Sequence, residues 1–286
     1  MKMSVHLRCL LSGTSSCAGT RHRRRASPRA SVPAPVSPGP LRAVDTVGDA
    51  RVVAAQAPDT GSAADDRALR SSVPERRRVS PVELYAHGLL GGDDVVARER
   101  NGTIRRLPLE DWMAPRLPGD DGLVEHCKGA VLDVGCGPGR LTVAVGATGL
   151  SALGLDVSRA ALALAKDRGA TVLHRSVFRR LPGAGCWASV LLADGNVGIG
   201  GDPLRLLTRI RQLLSADGQV LVEVGAPGMS SRRTSLRLET GGRVSAWFPW
   251  AELGWDDVPA VAMACSLRPT DRWVDHDRHF VALVAA

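Results

Sequence analysis

The stretch Val131-Leu132-Asp133-Val134-Gly135-Cys136-Gly137-Pro138-Gly139-Arg140 decides the fold. Ala130–Val134 is a short apolar run between Gly129 and Gly135, which predicts a strand buried in a parallel sheet. The glycines let the chain turn sharply into a helix starting near Arg140 while a ligand lies against the backbone. A Cβ at Gly135 or Gly137 would block that approach. The free N–H groups at the start of that helix point toward an anionic part of the ligand.

Outward from the loop, strand and helix signals alternate. A second strand over Ala152–Val157 puts Asp156 at its carboxyl end, where an acid accepts hydrogen bonds from ribose hydroxyls. Ser158 caps a helix over Arg159–Arg168, which Gly169 ends. Thr171–Val177 and Trp187–Ala193 read as the third and fourth strands. Asp202 and Pro203 open a helix over Leu204–Leu214, and the Asp217-Gly218 turn leads into a fifth strand, Gln219–Val224. Repeated β–α alternation predicts an α/β fold, a parallel sheet with helices on both faces. Before this core, Asn101-Gly102 turns a hairpin over 95–107; after it, Gly241-Gly242 turns another between Ser235–Thr240 and Arg243–Phe248. A short helix over Val258–Cys265 precedes two closing strands, Leu267–Val274 and His279–Val284.

The glycine spacing separates two ligand classes. A dinucleotide loop reads GxGxxG, whereas here Arg140 and Leu141 follow Gly139, and Asp133 lies inside the strand. In this context the motif Val131–Arg140 resembles the nucleotide loop of class I S-adenosylmethionine-dependent methyltransferases. The likeness extends over roughly 80–286 and reaches an actinobacterial-type group of small-molecule methyltransferases with a similar Asp-Gly-Asn-glycine stretch, here Asp194–Gly201. It implies a Rossmann-like doubly wound, mostly parallel seven-stranded sheet with an antiparallel last strand. The expected organisation is a basic low-complexity tail over 1–78, a hairpin and helix segment over 79–129, and the methyltransferase domain over 130–286.

The resemblance also implies roles. S-adenosyl-L-methionine is the cofactor. Asp133 would hold its methionyl ammonium; Gly135, Cys136, Gly137 and Gly139 would line its methionyl and ribose parts; Asp156, with Val157 beside it, would bind the ribose diol. The family often has an acid for the adenine amino group after the third strand, but Ser176-Val177-Phe178 holds none, which leaves a backbone amide near Val177 or the ring of Phe178 as substitutes. Asp194 and Asn196 follow the fourth strand, where the family contacts sulfonium and substrate, and are the candidates for positioning the acceptor; the alternative is that Asp194 only caps amides in a glycine turn. Trp247, Phe248, Trp250 and Trp255 form an aromatic cluster that reads either as an acceptor pocket, with Trp247 and Trp250 in its wall, or as packing of the hairpin. The expected partner is a small-molecule methyl acceptor. A nicotinamide-dependent oxidoreductase on a related sheet, and a non-catalytic protein that keeps the cofactor loop, are the alternatives.

Composition narrows the rest. The chain has 286 residues, is 44% hydrophobic and carries a formal charge of +8. All of that net charge lies in residues 1–78, with 14 Lys/Arg against 6 Asp/Glu; the remainder is neutral, with no field to gather nucleic acid. The Arg/Ser/Ala/Pro stretch over 21–40 cannot bury enough apolar surface to order itself. Disordered leader, misassigned start, transit peptide and nucleic-acid arm compete as readings of the tail. No apolar run reaches the ~18 residues of a membrane span, so no membrane partner is expected. Six scattered cysteines without a CxxC pair argue against a zinc ribbon and fit a reducing cytoplasm. Asp275-His276-Asp277-Arg278-His279 gives no full metal ligand set and reads as a turn; His87, His126 and His174 are isolated, His174 on the third strand fitting a packed core position. The sequence leaves the oligomeric state open.

Overall fold

Two sheets carry the residues that this computed structural model describes, 77–286. The tail reading of 1–78 lies outside them, except that Arg77 and Arg78 belong to a strand, β1 (Arg77–Val79). The chain continues through α1 (Pro81–Leu89), β2 (Val96–Glu99), β3 (Ile104–Arg106), α2 (Leu109–Met113) and α3 (Asp120–Glu125). It then enters the larger sheet with β4 (Val131–Val134), α4 (Arg140–Ala147), β5 (Ala152–Asp156), α5 (Arg159–Asp167), β6 (Val172–His174) and β7 (Trp187–Leu192). Next come a 3-10 segment (Asn196–Gly201), α6 (Pro203–Arg211) and β8 (Leu214–Val224). An insertion, β9 (Arg232–Thr240), β10 (Arg243–Ser245) and β11 (Phe248–Glu252), precedes α7 (Val258–Ala264), β12 (Leu267–Asp275) and β13 (Arg278–Ala285).

The larger sheet has seven strands in the order β12-β13-β8-β7-β4-β5-β6. β6, β5, β4, β7 and β8 run parallel to one another, and β13 runs antiparallel to β8 and β12. This is the expected doubly wound sheet with one reversed strand. The chain leaves β4 toward β5 and β6, then returns to build β7 and β8 on the other side. Such a reversal of strand order opens a crevice at the carboxyl ends of the central strands.

Strand β4 is buried on both faces. Leu132 and Val134 join Val190, Val220, Leu206, Leu207 and Ile210 in one core layer. Val131 joins Leu123, Leu141, Val145, Leu221 and Phe280 in the layer on the other face. Ser158 Oγ accepts from Ala161 N at 3.3 Å, and Asp202 Oδ1 from Arg205 N at 3.3 Å, so both expected helix caps are made.

Several boundaries differ from the sequence reading. The third strand shrinks to Val172–His174, and His174 is exposed rather than packed in the core. The helix after Asp202 ends at Arg211, and Leu214 already pairs with Trp187. Asp217-Gly218 is no turn before the fifth strand. It lies within β8 as an irregularity, because the pairing jumps from Trp187↔Leu214 to Ser189↔Gln219.

The smaller sheet joins segments the sequence analysis treats separately. β2 pairs antiparallel with both β3 and β9, β9 with β10 and β11, and β1 lies parallel to β10. Its six strands therefore come from both sides of the large sheet's central portion. Leu84 of α1 packs with Val95, Ala97 and Leu238 on it.

Candidate functional site

The glycine loop, the ends of β5 and β7 and the inner face of the small sheet enclose a cavity of about 770 Å³. Asp133, Gly135, Cys136, Gly137, Asp156, Val157, Val177, Asp194 and Asn196 all reach its wall. Within the loop, Gly137 has φ +52°, and the hydroxyl of Tyr85 would stand 3.0 Å from a Cβ there. A side chain at Gly137 would both strain the backbone and fill the space under α1.

Gly139 has a different job. It does not reach the cavity; a Cβ there would meet the Ala165 Cβ at 2.8 Å, so its role is close packing of the loop on α5. Phe178 is also displaced from its expected place. Its ring lies under the Arg205 guanidinium at 4.4 Å and against Gly200, while Arg175, Ser176 and Val177 face the cavity instead. Trp247 packs against the guanidinium groups of Arg100 and Arg237, at 4.8 and 4.9 Å, and does not line the cavity. Trp247 precedes β11, whereas Phe248 and Trp250 lie on one face of that strand by alternation, line the cavity, and have rings that meet edge to face at 6.4 Å. Trp255 stands apart, edge-on to His279.

Two carboxylates bracket the loop. Asp156 Oδ2 accepts from Gly137 N at 3.0 Å and Oδ1 from Ser158 N at 2.7 Å. Each oxygen keeps a further lone pair for a ligand hydroxyl. Burial raises the Asp156 carboxyl above the ordinary aspartate value, against the pull of those backbone donors. Asp133 is 2% exposed and accepts from Thr142 Oγ1 at 2.6 Å. Burial pushes its carboxyl up to about 6, and the neighbouring Asp194 and Asp156 charges act in the same direction.

Asn196 is a brace for the loop. Its Nδ2 donates to Val134 O and Gly135 O, both at 3.0 Å. Asn196→Ala removes both bonds and leaves two carbonyls to find other donors. A loss of about 1–3 kcal/mol is expected, read as a lower midpoint in urea denaturation; an unchanged midpoint would refute the brace.

Asp194 is not a free base. It has φ +53°, with its N–H donating to Glu223 Oε2 at 2.6 Å. Arg140 Nη2 donates to Oδ2 at 2.6 Å and Arg278 Nη2 to Oδ1 at 3.1 Å. The same two arginines pair with Asp120, and Arg278 also with Glu223. Burial, the largest influence, raises the Asp194 carboxyl, while Arg140 pulls the other way. This ionic cluster ties α3, α4, the β7 end, β8 and β13 together beneath the cavity. Sequence reasoning missed it, because its members are scattered and an arginine after a glycine loop reads as a surface residue.

Tyr85, the only tyrosine in the chain, was also missed. It sits on the cavity wall, edge to face with Trp112 at 5.8 Å. Burial raises its phenol far above the usual range, so it stays neutral and can only donate or accept a hydrogen bond. Among the described residues no His, Cys, Asp and Glu group is arranged to hold a metal ion, and no helix is long and apolar enough to cross a membrane.

Residues 131–218 match a family model described as a methyltransferase domain. Among solved structures, an S-adenosylmethionine-dependent methyltransferase from Bacteroides fragilis is similar with a TM-score of 0.61 and 18% identity, over 72% of this chain and 95% of that one. The CcbJ methyltransferase of Streptomyces caelestis is similar at a TM-score of 0.47 and 14% identity, over 62% of this chain and 94% of that one. No curated protein matches the chain in sequence. Residues 131–218 thus match a methyltransferase domain, and the chain shares its fold with a solved S-adenosylmethionine-dependent methyltransferase.

Proposed function

We propose that this protein transfers a methyl group from S-adenosylmethionine to a small-molecule acceptor held between the glycine loop and the small sheet. The observation that carries the reading is the placement of Asp133 and Asp156 on either side of Gly135–Gly137 in one cavity, faced by Trp250 and Phe248. The Bacteroides fragilis structure of the same fold was solved with S-adenosylhomocysteine, which accords with that use of the cavity. The cavity volume suits a nucleoside cofactor together with a small acceptor.

S-adenosylmethionine, when bound, supplies an electrophilic methyl on a sulfonium that is itself the leaving group. Asp156 would take the ribose diol and Asp133 the methionyl ammonium. Asn196, by holding the loop carbonyls, fixes the backbone on which the cofactor lies. Cys136 stays a thiol, its pKa raised well above the usual range by burial first and by Asp133 and Asp156 next. It therefore presents a small apolar wall and no competing nucleophile. The walls' main contribution is alignment, which supplies ~7–11 kcal/mol of such a barrier when donor and acceptor are held in line.

Asp133 makes cofactor binding pH-dependent. Below about 6 its carboxyl is protonated, and the ammonium of S-adenosylhomocysteine meets a neutral partner. Binding is therefore expected to tighten as pH rises through about 6, with proton release near that value. Calorimetry in buffers of different ionisation enthalpy checks this; a flat affinity between pH 5 and 7.5 would show that Asp133 does not face the ammonium. The activity itself is tested by incubating the full chain with methyl-labelled S-adenosylmethionine and a metabolite extract. Label in a low-molecular-weight product supports the reading; cofactor binding without label in any product refutes turnover.

A further inference from the structure

The inner face of the small sheet changes character along its strands. Toward one end it presents Ala97, Leu236, Leu238, Phe248 and Trp250 to the cavity. At the other end the same face carries Glu99, Arg105, Arg232, Thr234 and Glu252. Pairing register puts Arg105 beside Ala97, Thr234 beside Trp250 and Arg232 beside Glu252.

These charged residues form a closed set with one opening. Arg232 spends all three nitrogens on the two glutamates: Nη1 on Glu99 Oε2 at 2.6 Å, Nη2 on Glu99 Oε1 and Glu252 Oε1 at 2.9 Å each, and Nε on Glu252 Oε2 at 2.7 Å. Thr234 Oγ1 adds a bond to Glu99 Oε2 at 3.2 Å. Arg105 reaches both glutamates through Nη2 alone, pairing with Glu99 and with Glu252 at 3.0 Å. Hydrogen bonding by Arg232 is the chief reason the Glu99 carboxyl falls to about 2, so the cluster is two cations and two anions and sums to zero.

The two arginines are not equivalent toward the cavity. Arg105 lines it and is 52% exposed, whereas Arg232 does not reach its wall. Arg105 Nε and Nη1 point to neither glutamate. An incoming ammonium would find both oxygens of Glu99 and Oε1 of Glu252 each accepting twice, with a single lone pair left on Glu252 Oε2 beside the Arg232 guanidinium. An incoming carboxylate would find the spare N–H groups of Arg105. A dianionic phosphate would meet the nearby glutamates with no surplus cation to offset its second charge.

We propose that the methyl acceptor is a small carboxylic acid with a planar or apolar body, its carboxylate on Arg105 and its body against Leu236, Phe248 and Trp250. This inference rests on the methyltransferase reading above, since it assigns the other half of the cavity to the cofactor. Arg105 is then a specificity-determining residue, and it touches the acceptor away from the reacting atoms.

The test uses the full chain saturated with S-adenosylhomocysteine. Probes are 4-hydroxybenzoate, 3-hydroxyphenylacetate and indole-3-acetate, each compared with its primary amide, with affinities read by calorimetry or ligand-observed NMR. At least one acid is expected to bind tenfold or more tightly than its amide. Arg105→Gln should erase that preference and Arg105→Lys keep part of it. Because Arg232 still pairs with Glu99 in either variant, the fold has a partner for the buried carboxylate. Equal binding of acids and amides, a preference that survives in Arg105→Gln, or no acid binding at all would overturn the inference. S-adenosylhomocysteine affinity, measured in the same samples, separates the two levels. A protein that binds it without acid preference loses only the acceptor assignment; a protein that does not bind it loses the cofactor reading, and this inference with it.

Discussion

Replacing Arg140 with Met is expected to lower the unfolding free energy by about 3–5 kcal/mol, the range for removing one partner of a buried ion pair. Arg140 is 4% exposed and Asp120 0% exposed, and the pair lies against the core face that carries Leu123, Leu141 and Phe280. In Arg140→Met, Asp120 keeps only Leu117 N at 2.8 Å and Arg278 Nη1 at 2.9 Å, and Asp194 Oδ2 loses its donor. Met matches the aliphatic stem in bulk, so the loss reads the charge more than a cavity. Chemical denaturation at neutral pH measures the change. Adding Asp120→Asn to the variant should recover part of it, because the uncompensated buried charge is then gone. A loss below 1 kcal/mol would mean that Arg278 alone satisfies the acids.

The acid limb should move too. Burial raises the Asp120 carboxyl, but Arg140, the Leu117 amide and Arg278 outweigh it, so its folded value lies below the ordinary one. A depressed carboxyl contributes stability above its unfolded value and loses it as pH falls through the folded value. Arg140→Met weakens that contribution, so the variant has less of it to lose on acidification, and the stability gap between wild type and variant should narrow as the pH falls below the ordinary aspartate value.

What the sequence made legible follows from the range of each signal. The parallel strands, the glycine loop and the capped helices are local: apolar runs, turn glycines, Ser158 and Asp202 act within a few residues. Asp133, Asp156 and the glycines they flank were readable because they sit on that local frame. The small sheet was not, since β2 and β9 are both half of a hairpin whose partner lies more than a hundred residues away. Each hairpin is visible alone, but nothing in either says which edge it joins. The same limit left the aromatic cluster undivided. Trp247 and Trp250 look alike in sequence, yet Trp247 stops short of β11 and lies against two arginines, whereas Trp250 within the strand lines the cavity. In α6, Leu204 fits the helical stripe by spacing but is exposed, while Leu206 and Leu207 are buried. A third of a turn decides that, and the sheet's position sets it.

Asp156→Ala is expected to weaken S-adenosylhomocysteine binding by about 1.5–3 kcal/mol, the cost of hydrogen bonds to a charged group, or roughly 10- to 150-fold in Kd. Two effects overlap in that number. Asp156 would hold the ribose, and it also holds the Gly137 and Ser158 amides, so its removal would loosen the glycine loop as well. A comparison of S-adenosylhomocysteine with its 2′,3′-dideoxy form separates them. If Asp156 accepts from the diol, the wild type prefers the hydroxylated ligand and Asp156→Ala does not; if the acid only braces the loop, both ligands weaken together and the preference survives. Asp156→Asn sharpens the distinction, because one amide oxygen still accepts from a loop N–H while the NH₂ offers the diol a donor in place of an acceptor. Its loop should keep one of the two amide bonds, and its preference for the diol should shrink. A dideoxy ligand bound as tightly as the parent by the wild type would place the ribose elsewhere, and the assignment of Asp156 to the cofactor would fall with it.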